Sequence, residues 1–115
     1  MSENCPFCRI VAGETPAKII YQDELVTAFE DVQPAAPVHV LIVPNRHITS
    51  LNRITPEDEG LLGRLLIAAR KLAEQYNISQ DGYRLQLNTG EHAGQTVFHL
   101  HLHLLGGARL PAFTR

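Results

Sequence analysis

Two hydrophobic periods divide the chain. Across residues 56–76, Leu61, Leu62, Leu65, Leu66, Ala69, Leu72, Ala73 and Tyr76 recur at three- and four-residue intervals, the spacing of one helical face. Thr55 is a capping residue, Pro56 suits the first helical position, and Glu57 and Asp58 suit the positive end of the helix dipole. The spacing predicts one long helix over 56–76 that stops near Asn77. Gly60 and Gly63 lie on the stripe or beside it, where they would let another chain approach closely or are equally well tolerated helix glycines. Elsewhere the period is that of a strand. Residues 18–22 are β-rich, Asp23 and Glu24 make a turn, and 25–31 return as the second arm of a hairpin. Residues 38–43, closed by Pro44, are almost continuously apolar, as a central strand buried on both faces would be. Residues 83–88 alternate after an Asp81-Gly82 turn. From His99 to Leu104 the alternation of polar and apolar is strict. In a strand, His99, His101 and His103 share one face, about 7 Å apart at ~3.3 Å per residue, and Phe98, Leu100, Leu102 and Leu104 meet the core. Residues 5–13 read as a short helical turn closed by Gly13. With no repeat and no break in composition, the chain is expected to form a single domain over 1–115.

Composition removes several classes. A net charge of −2 in 115 residues argues against a nucleic-acid binder, which needs a basic excess. No apolar run is long enough to span a bilayer, and the N-terminus lacks the apolar core of a signal peptide. The chain therefore reads as cytoplasmic, without a membrane partner. In that compartment the Cys5-x-x-Cys8 pair suggests a metal or redox role rather than a structural disulfide.

Three imidazoles on one face are costly unless used, since each has two ring nitrogens to satisfy and can charge near neutral pH. His39, the only polar side chain of its apolar run, needs a partner, and one of the three is a candidate. Gly90, Gly94, Gln95 and Thr96 stand just ahead of them, where backbone amides, a hydroxyl and a side-chain amide can hold an anion, most simply a phosphate. Phe29 and Asp31 admit two readings: a ring on a base with a carboxylate on a ribose, or a core residue and a turn residue. The residues alone favour the second. A neutral imidazole is a good nucleophile at phosphorus when its other nitrogen donates to a fixed acceptor, and such a two-step displacement needs no metal.

The run His99-Leu100-His101-Leu102-His103-Leu104-Leu105 has the form His-φ-His-φ-His-φ-φ, with φ an apolar residue. With Pro37-Val38-His39, Val43-Pro44, Asn88, Gly94-Gln95-Thr96 and Gly106-Gly107, it resembles the histidine triad (HIT) superfamily, specifically the Hint branch of nucleoside phosphoramidate hydrolases, over residues 7–107. The resemblance implies an α+β fold, a five-stranded antiparallel sheet with one long helix and a short N-terminal helix, in a homodimer that shares a larger sheet. It also implies hydrolysis of purine nucleoside 5′-phosphoramidates to AMP or GMP and an amine. The neighbouring possibilities are a dinucleoside polyphosphate hydrolase, a nucleotide-binding scaffold with weak hydrolysis, and a metal-dependent protein using the three histidines directly.

Roles follow by position. His101 resembles the nucleophile, His103 the group on the phosphate oxygens, and His39 and His99 the supporting histidines that relay protons or hold a tautomer. Asp31 resembles the ribose ligand, and Phe7, Ile10, Phe29 and Val32 the walls of the base pocket. Asn88, Gly94, Gln95 and Thr96 resemble the polar contacts to phosphate and ribose. Relatives with a cysteine pair imply a structural zinc held by Cys5, Cys8, His47 and His99, a closed set of two thiolates and two imidazoles. In that case His99 would be a ligand and no proton shuttle. The tail ending at Arg115 is short beside the Hint tail that reaches toward the partner's site, which leaves substrate selection open.

Overall fold

The computed structural model describes residues 4–112; the end of the C-terminal tail, 113–115, lies outside the described residues. Seven regular elements appear in chain order: α1 (Pro6–Val11), β1 (Ile19–Gln22), β2 (Val26–Glu30), β3 (Val38–Pro44), α2 (Glu59–Gln75), β4 (Tyr83–Gln86) and β5 (Leu102–Gly106). The strands form one antiparallel sheet in the order β1-β2-β3-β5-β4. The expected α+β architecture of five antiparallel strands, a long helix and a short one is present.

The apolar run of β3 places it at the centre, and its register assigns the two faces. Val40 and Ile42, with Val26 and Ala28 of β2 and Leu102 and Leu104 of β5, meet Leu61, Leu65, Ala69, Leu72 and Ala73 of α2 in the main core. Leu41 and Val43, with Phe29, meet Phe7 and Cys8 of α1 in a smaller cluster on the opposite face. Each fully buried leucine of the main core contributes roughly 1.5–3 kcal/mol, so α2 anchors the sheet and α1 is the lighter cover.

The long helix begins as a 3-10 turn over Pro56–Asp58 and becomes α-helical at Glu59. Asp58 accepts from the backbone amide of Thr55 at 3.0 Å, closing the first turn. At the other end Asn77 takes a left-handed φ of 59°, and the Ile78 amide donates to Ala73 O at 3.0 Å. This is the capping turn that asparagine tolerates, and it drives Ile78 into the core. Gly106 closes the far end of β5, where a Cβ would lie 2.7 Å from Ile78 Cδ1.

Asp23 fixes the hairpin to α2. Its carboxylate accepts from the amides of Leu25 and Val26 at 2.8 and 2.9 Å and from Arg64 Nη1 at 2.7 Å. Burial would raise its pKa, but the hydrogen bonds from Tyr21, Val26, Leu25 and Arg64 outweigh burial and hold the carboxyl well below the usual range.

Three expectations change. The histidine strand is shorter than the alternation predicts: β5 starts at Leu102, so only His103 of the three histidines lies in it. Phe98 is half exposed rather than core, because the chain there is held by the loop and not by a ladder. Leu66 is 52% exposed beside Ile67 at 50%; the sheet covers a narrower stripe of α2 than the sequence pattern offers, with Ala68 completing it.

Candidate functional site

The site lies on the α1 face of the sheet, where the segment before β5 passes beneath α1. The alternation still directs the three histidines to one side and Leu100, Leu102 and Leu104 to the main core. Each ring is then set by a different backbone or side-chain partner. The His101 ring turns back on its own segment, with Nδ1 2.7 Å from the carbonyl oxygen of His99. A carbonyl only accepts, so Nδ1 carries the proton and Nε2 keeps its lone pair. The ring of Phe7 stands edge-on to His101, with centroids 5.1 Å apart at 85°, and meets Phe29 at 5.3 Å. The short helix therefore presses on both the imidazole and the aromatic wall.

His103 lies beside His101, ring centroids 5.0 Å apart, and its Nδ1 is 2.9 Å from His39 Nε2. The partner that His39 needs is thus His103, across the β3–β5 ladder, and not His101. The other nitrogen of His39, Nδ1, accepts the backbone amide of Ala35 at 3.0 Å. Asp31 Oδ2 is 3.5 Å from His39 Nε2, while Oδ1 accepts the amide of Gln33 at 2.8 Å. Burial, with the neighbouring His101 and His39, pushes His103 down to about 4. Burial also lowers His39, against an upward pull from Asp31. Both rings are neutral at physiological pH.

His99 faces away from this pair. Its Nε2 donates to the carbonyl of Pro44 at 2.8 Å, which leaves the lone pair of Nδ1 pointing at the cysteines. Nδ1 lies 3.2 Å from Cys5 Sγ, 3.5 Å from Cys8 Sγ and 3.3 Å from His47 Nδ1, and Cys8 Sγ is 3.2 Å from His47 Nδ1. The four donor atoms lie within 4.8 Å of one another. A tetrahedral zinc with bonds of ~2.3 Å to sulfur and ~2.0–2.1 Å to nitrogen separates its ligands by about 3.3–3.8 Å, so the donor set and its spacing fit that ion. Both cysteines are buried and neither is in a disulfide.

The Gly-rich loop is braced from within. Gly90 and Gly94 take left-handed φ values of 87° and 88° around a 3-10 turn over Glu91–Ala93. The amides of Ala93, Gly94 and Gln95 donate to Gly90 O, Glu91 O and Gly90 O respectively. The buried side chain of Gln95 accepts the Gly90 amide at 2.8 Å and donates to Thr49 O and Val97 O at 2.8 and 3.1 Å. The amide of Gly94 and the side chain of Gln95, both expected to contact a ligand, are therefore engaged inside the loop. Thr96 is exposed, and Asn88, partly buried, accepts from Gln86 at 3.2 Å. Ile10 packs beside the Phe7–Phe29 cluster, whereas Val32 is 91% exposed. A cavity of about 720 Å³ lies elsewhere, between the end of α2 and residues 107–110, and no histidine or cysteine lines it.

Several groups that shape the site are main-chain atoms: the carbonyls of His99, Pro44 and Thr49 and the amide of Ala35. Residue identity carries no signal for them. The prolines around Ala35 mark a rigid loop, which is the one hint the sequence offers.

Fold and site together define a histidine-triad protein, and comparison with known proteins agrees. The family model described as "Scavenger mRNA decapping enzyme C-term binding" matches residues 4–112. Purine nucleoside phosphoramidase of Escherichia coli K12 is 51% identical over 110 residues, 96% of this chain and 92% of that protein. A HIT family hydrolase from Clostridium thermocellum superposes with a TM-score of 0.95 at 49% identity, covering 98% of each chain. A histidine triad protein from Clostridium difficile does so with a TM-score of 0.95 at 37% identity, covering 99% of each. The chain belongs to the HIT family.

Proposed function

We propose that this protein hydrolyses purine nucleoside 5′-phosphoramidates to the nucleoside monophosphate and an amine, through a nucleotidyl group carried transiently on His101. The observation that carries the reading is the bond from His101 Nδ1 to the carbonyl of His99. It keeps the lone pair on Nε2, as a nucleophile at phosphorus requires. Attack by Nε2 on the α-phosphorus expels the amine, and water then releases the nucleotide. The 51% identity to a protein named purine nucleoside phosphoramidase supports the same substrate class. His103, held by His39, donates to a phosphate oxygen. Asp31 takes the ribose hydroxyls, with Phe7, Ile10, Phe29 and Val32 around the base and Asn88 and Thr96 near the phosphate. Gln95 and Gly94 hold the loop's shape.

The four-donor cluster is assigned to a structural zinc, which when bound would lock α1 against the segment that carries His99. Its ligands are Cys5, Cys8, His47 and His99, so His99 serves the nucleophile through its carbonyl rather than by moving protons. The assembly is assigned as a homodimer. The outward face of α2, with Gly60, Gly63, Leu66 and Ile67, is exposed, and β4 is an open edge with Tyr83 and Leu85 each 36% exposed. Pairing at that edge would extend the sheet. No helix among the described residues is long and apolar enough to cross a membrane, and reduced thiols suit the cytoplasm.

The test is rapid mixing with adenosine phosphoramidate radiolabelled in the nucleotide, an alkaline quench and peptide mapping. Label should sit on His101, and His101→Ala should lose several orders of magnitude in turnover while still binding AMP. Label on His99 or His103 would reassign the nucleophile. Absence of label with inversion at a chiral phosphorus would mean direct attack by water. Turnover of dinucleoside polyphosphates in preference to phosphoramidates would move the protein to that class.

A further inference from the structure

The loop between β2 and β3 does more than connect strands. The amide of Asp31 donates to His39 O at 3.0 Å, the amide of Gln33 to Asp31 Oδ1 at 2.8 Å, and the amide of Ala35 to His39 Nδ1 at 3.0 Å. The third bond has a consequence that propagates. A ring nitrogen that accepts an N–H carries no proton, so neutral His39 holds its proton on Nε2. That nitrogen faces His103 Nδ1 at 2.9 Å. His103 Nδ1 must then accept, and its own proton is confined to Nε2, the nitrogen left to face a substrate. We propose that the Ala35 amide is a positioning group for the reaction. By fixing the tautomer of His39 it makes His103 a neutral, outward Nε2–H donor to the substrate's phosphoryl oxygen.

The arrangement also resists protonation. A proton added to His103 Nδ1 would face the Nε2–H of His39, and moving that proton to His39 Nδ1 would set it against the Ala35 amide. His103 thus contributes a hydrogen bond rather than a transferable proton, and the leaving amine takes its proton from solvent water. The same geometry rejects a second reading. Asp31, His39 and His103 present ligand atoms within 4.8 Å of one another, as a divalent cation would need. His39, however, has no lone pair on Nε2 while Ala35 donates to Nδ1, so the geometry favours a hydrogen-bonded imidazole pair with the Asp31 carboxylate beside it over a metal site.

The role in turnover rests on the proposed phosphoramidase reading; the tautomers do not. Ring-nitrogen NMR of the protein labelled with 15N-histidine should show the proton on Nε2 in both His39 and His103. Replacing Ala35 by lactic acid turns its amide into an ester and removes only the N–H. His39 should then populate both tautomers, and turnover should fall about tenfold, with an ester at Ala36 as the control. His39→Gln, which can still donate toward His103, should stay within about tenfold of the parent protein. His39→Leu, which offers no donor and releases the His103 proton to either nitrogen, should lose on the order of a hundredfold, the scale of one lost oxyanion donor. A proton on His103 Nδ1 in the unmodified protein would overturn the proposal, as would equal turnover of the Gln and Leu variants. Failure to turn over phosphoramidates with the tautomers as expected would instead strike the proposed function and leave the tautomer assignment standing.

Discussion

At the scale of residues, chemistry here depends on which nitrogen of each ring is spoken for. Four histidines within one patch have four different settings: His101 on a carbonyl, His103 on His39, His39 on an amide and His99 on a carbonyl and the thiols. The triad pattern exposes the existence of the patch but not these settings, which come from atoms every residue possesses. Asp31 is a sharper case. Its residue type and place at a strand end favour the turn reading, and the structure gives it turn geometry through Gln33 while leaving Oδ2 beside His39. If Oδ2 also accepts from ribose, Asp31→Ala should weaken AMP binding by about 1.5–3 kcal/mol, roughly ten- to a hundredfold. It should leave 2′,3′-dideoxy-AMP binding unchanged. Calorimetric titration of both ligands decides, and equal losses would mean that Asp31 serves only the loop.

At the scale of elements, α1 is the weak and informative one. Six residues are too few to hold a helix by propensity, and α1 is kept in place by Phe7, Cys5 and Cys8, all buried. Purified without chelator, the protein should carry about one zinc per chain. Cys8→Ser should lose it and lower the melting temperature while sparing most turnover, since no zinc ligand side chain touches the reacting phosphorus in the proposed mechanism. Metal analysis beside a thermal melt checks both parts, and a Cys8→Ser protein that keeps its zinc would remove Cys8 from the ligand set. The long helix, by contrast, was legible from its period to within a few residues, because apolar spacing and both caps are local. Its outward face was not, because exposure of Leu66 depends on how far the sheet reaches.

At the scale of the molecule, two outcomes are expected. Leu66→Glu with Ile67→Glu places charges on the exposed face of α2, so sedimentation should give about twice the chain mass for the parent protein and one chain mass for the double variant. A parent that runs as a monomer at micromolar concentration would end the dimer reading. The second concerns acid. His103 sits near 4 in the fold, against 6.5 as a free side chain, so above pH 6.5 its protonation costs the fold nothing. As pH falls from 6.5 toward 4 the unfolded chain takes up a proton that the folded chain refuses, and stability is lost across that window. Urea midpoints measured over it should decline less steeply for His103→Gln than for the parent protein.

The sequence by itself determined the class of this protein: the helix, the hairpin, the doubly buried strand and a set of histidines on one side of the chain all follow from local periodicity and residue type. Even where the strand assignment overran, from His99 to His101, the alternation still placed the rings correctly, because any extended segment alternates its side chains. Only the tertiary structure decided which histidine pairs with which. It joined His99 to Cys5, Cys8 and His47, residues up to 94 positions apart, and His39 to His103 across a strand pair. It also committed Gln95 to bracing a loop. Those choices depend on sheet register and on main-chain donors and acceptors brought together by packing, and neither is written in the order of side chains along the chain.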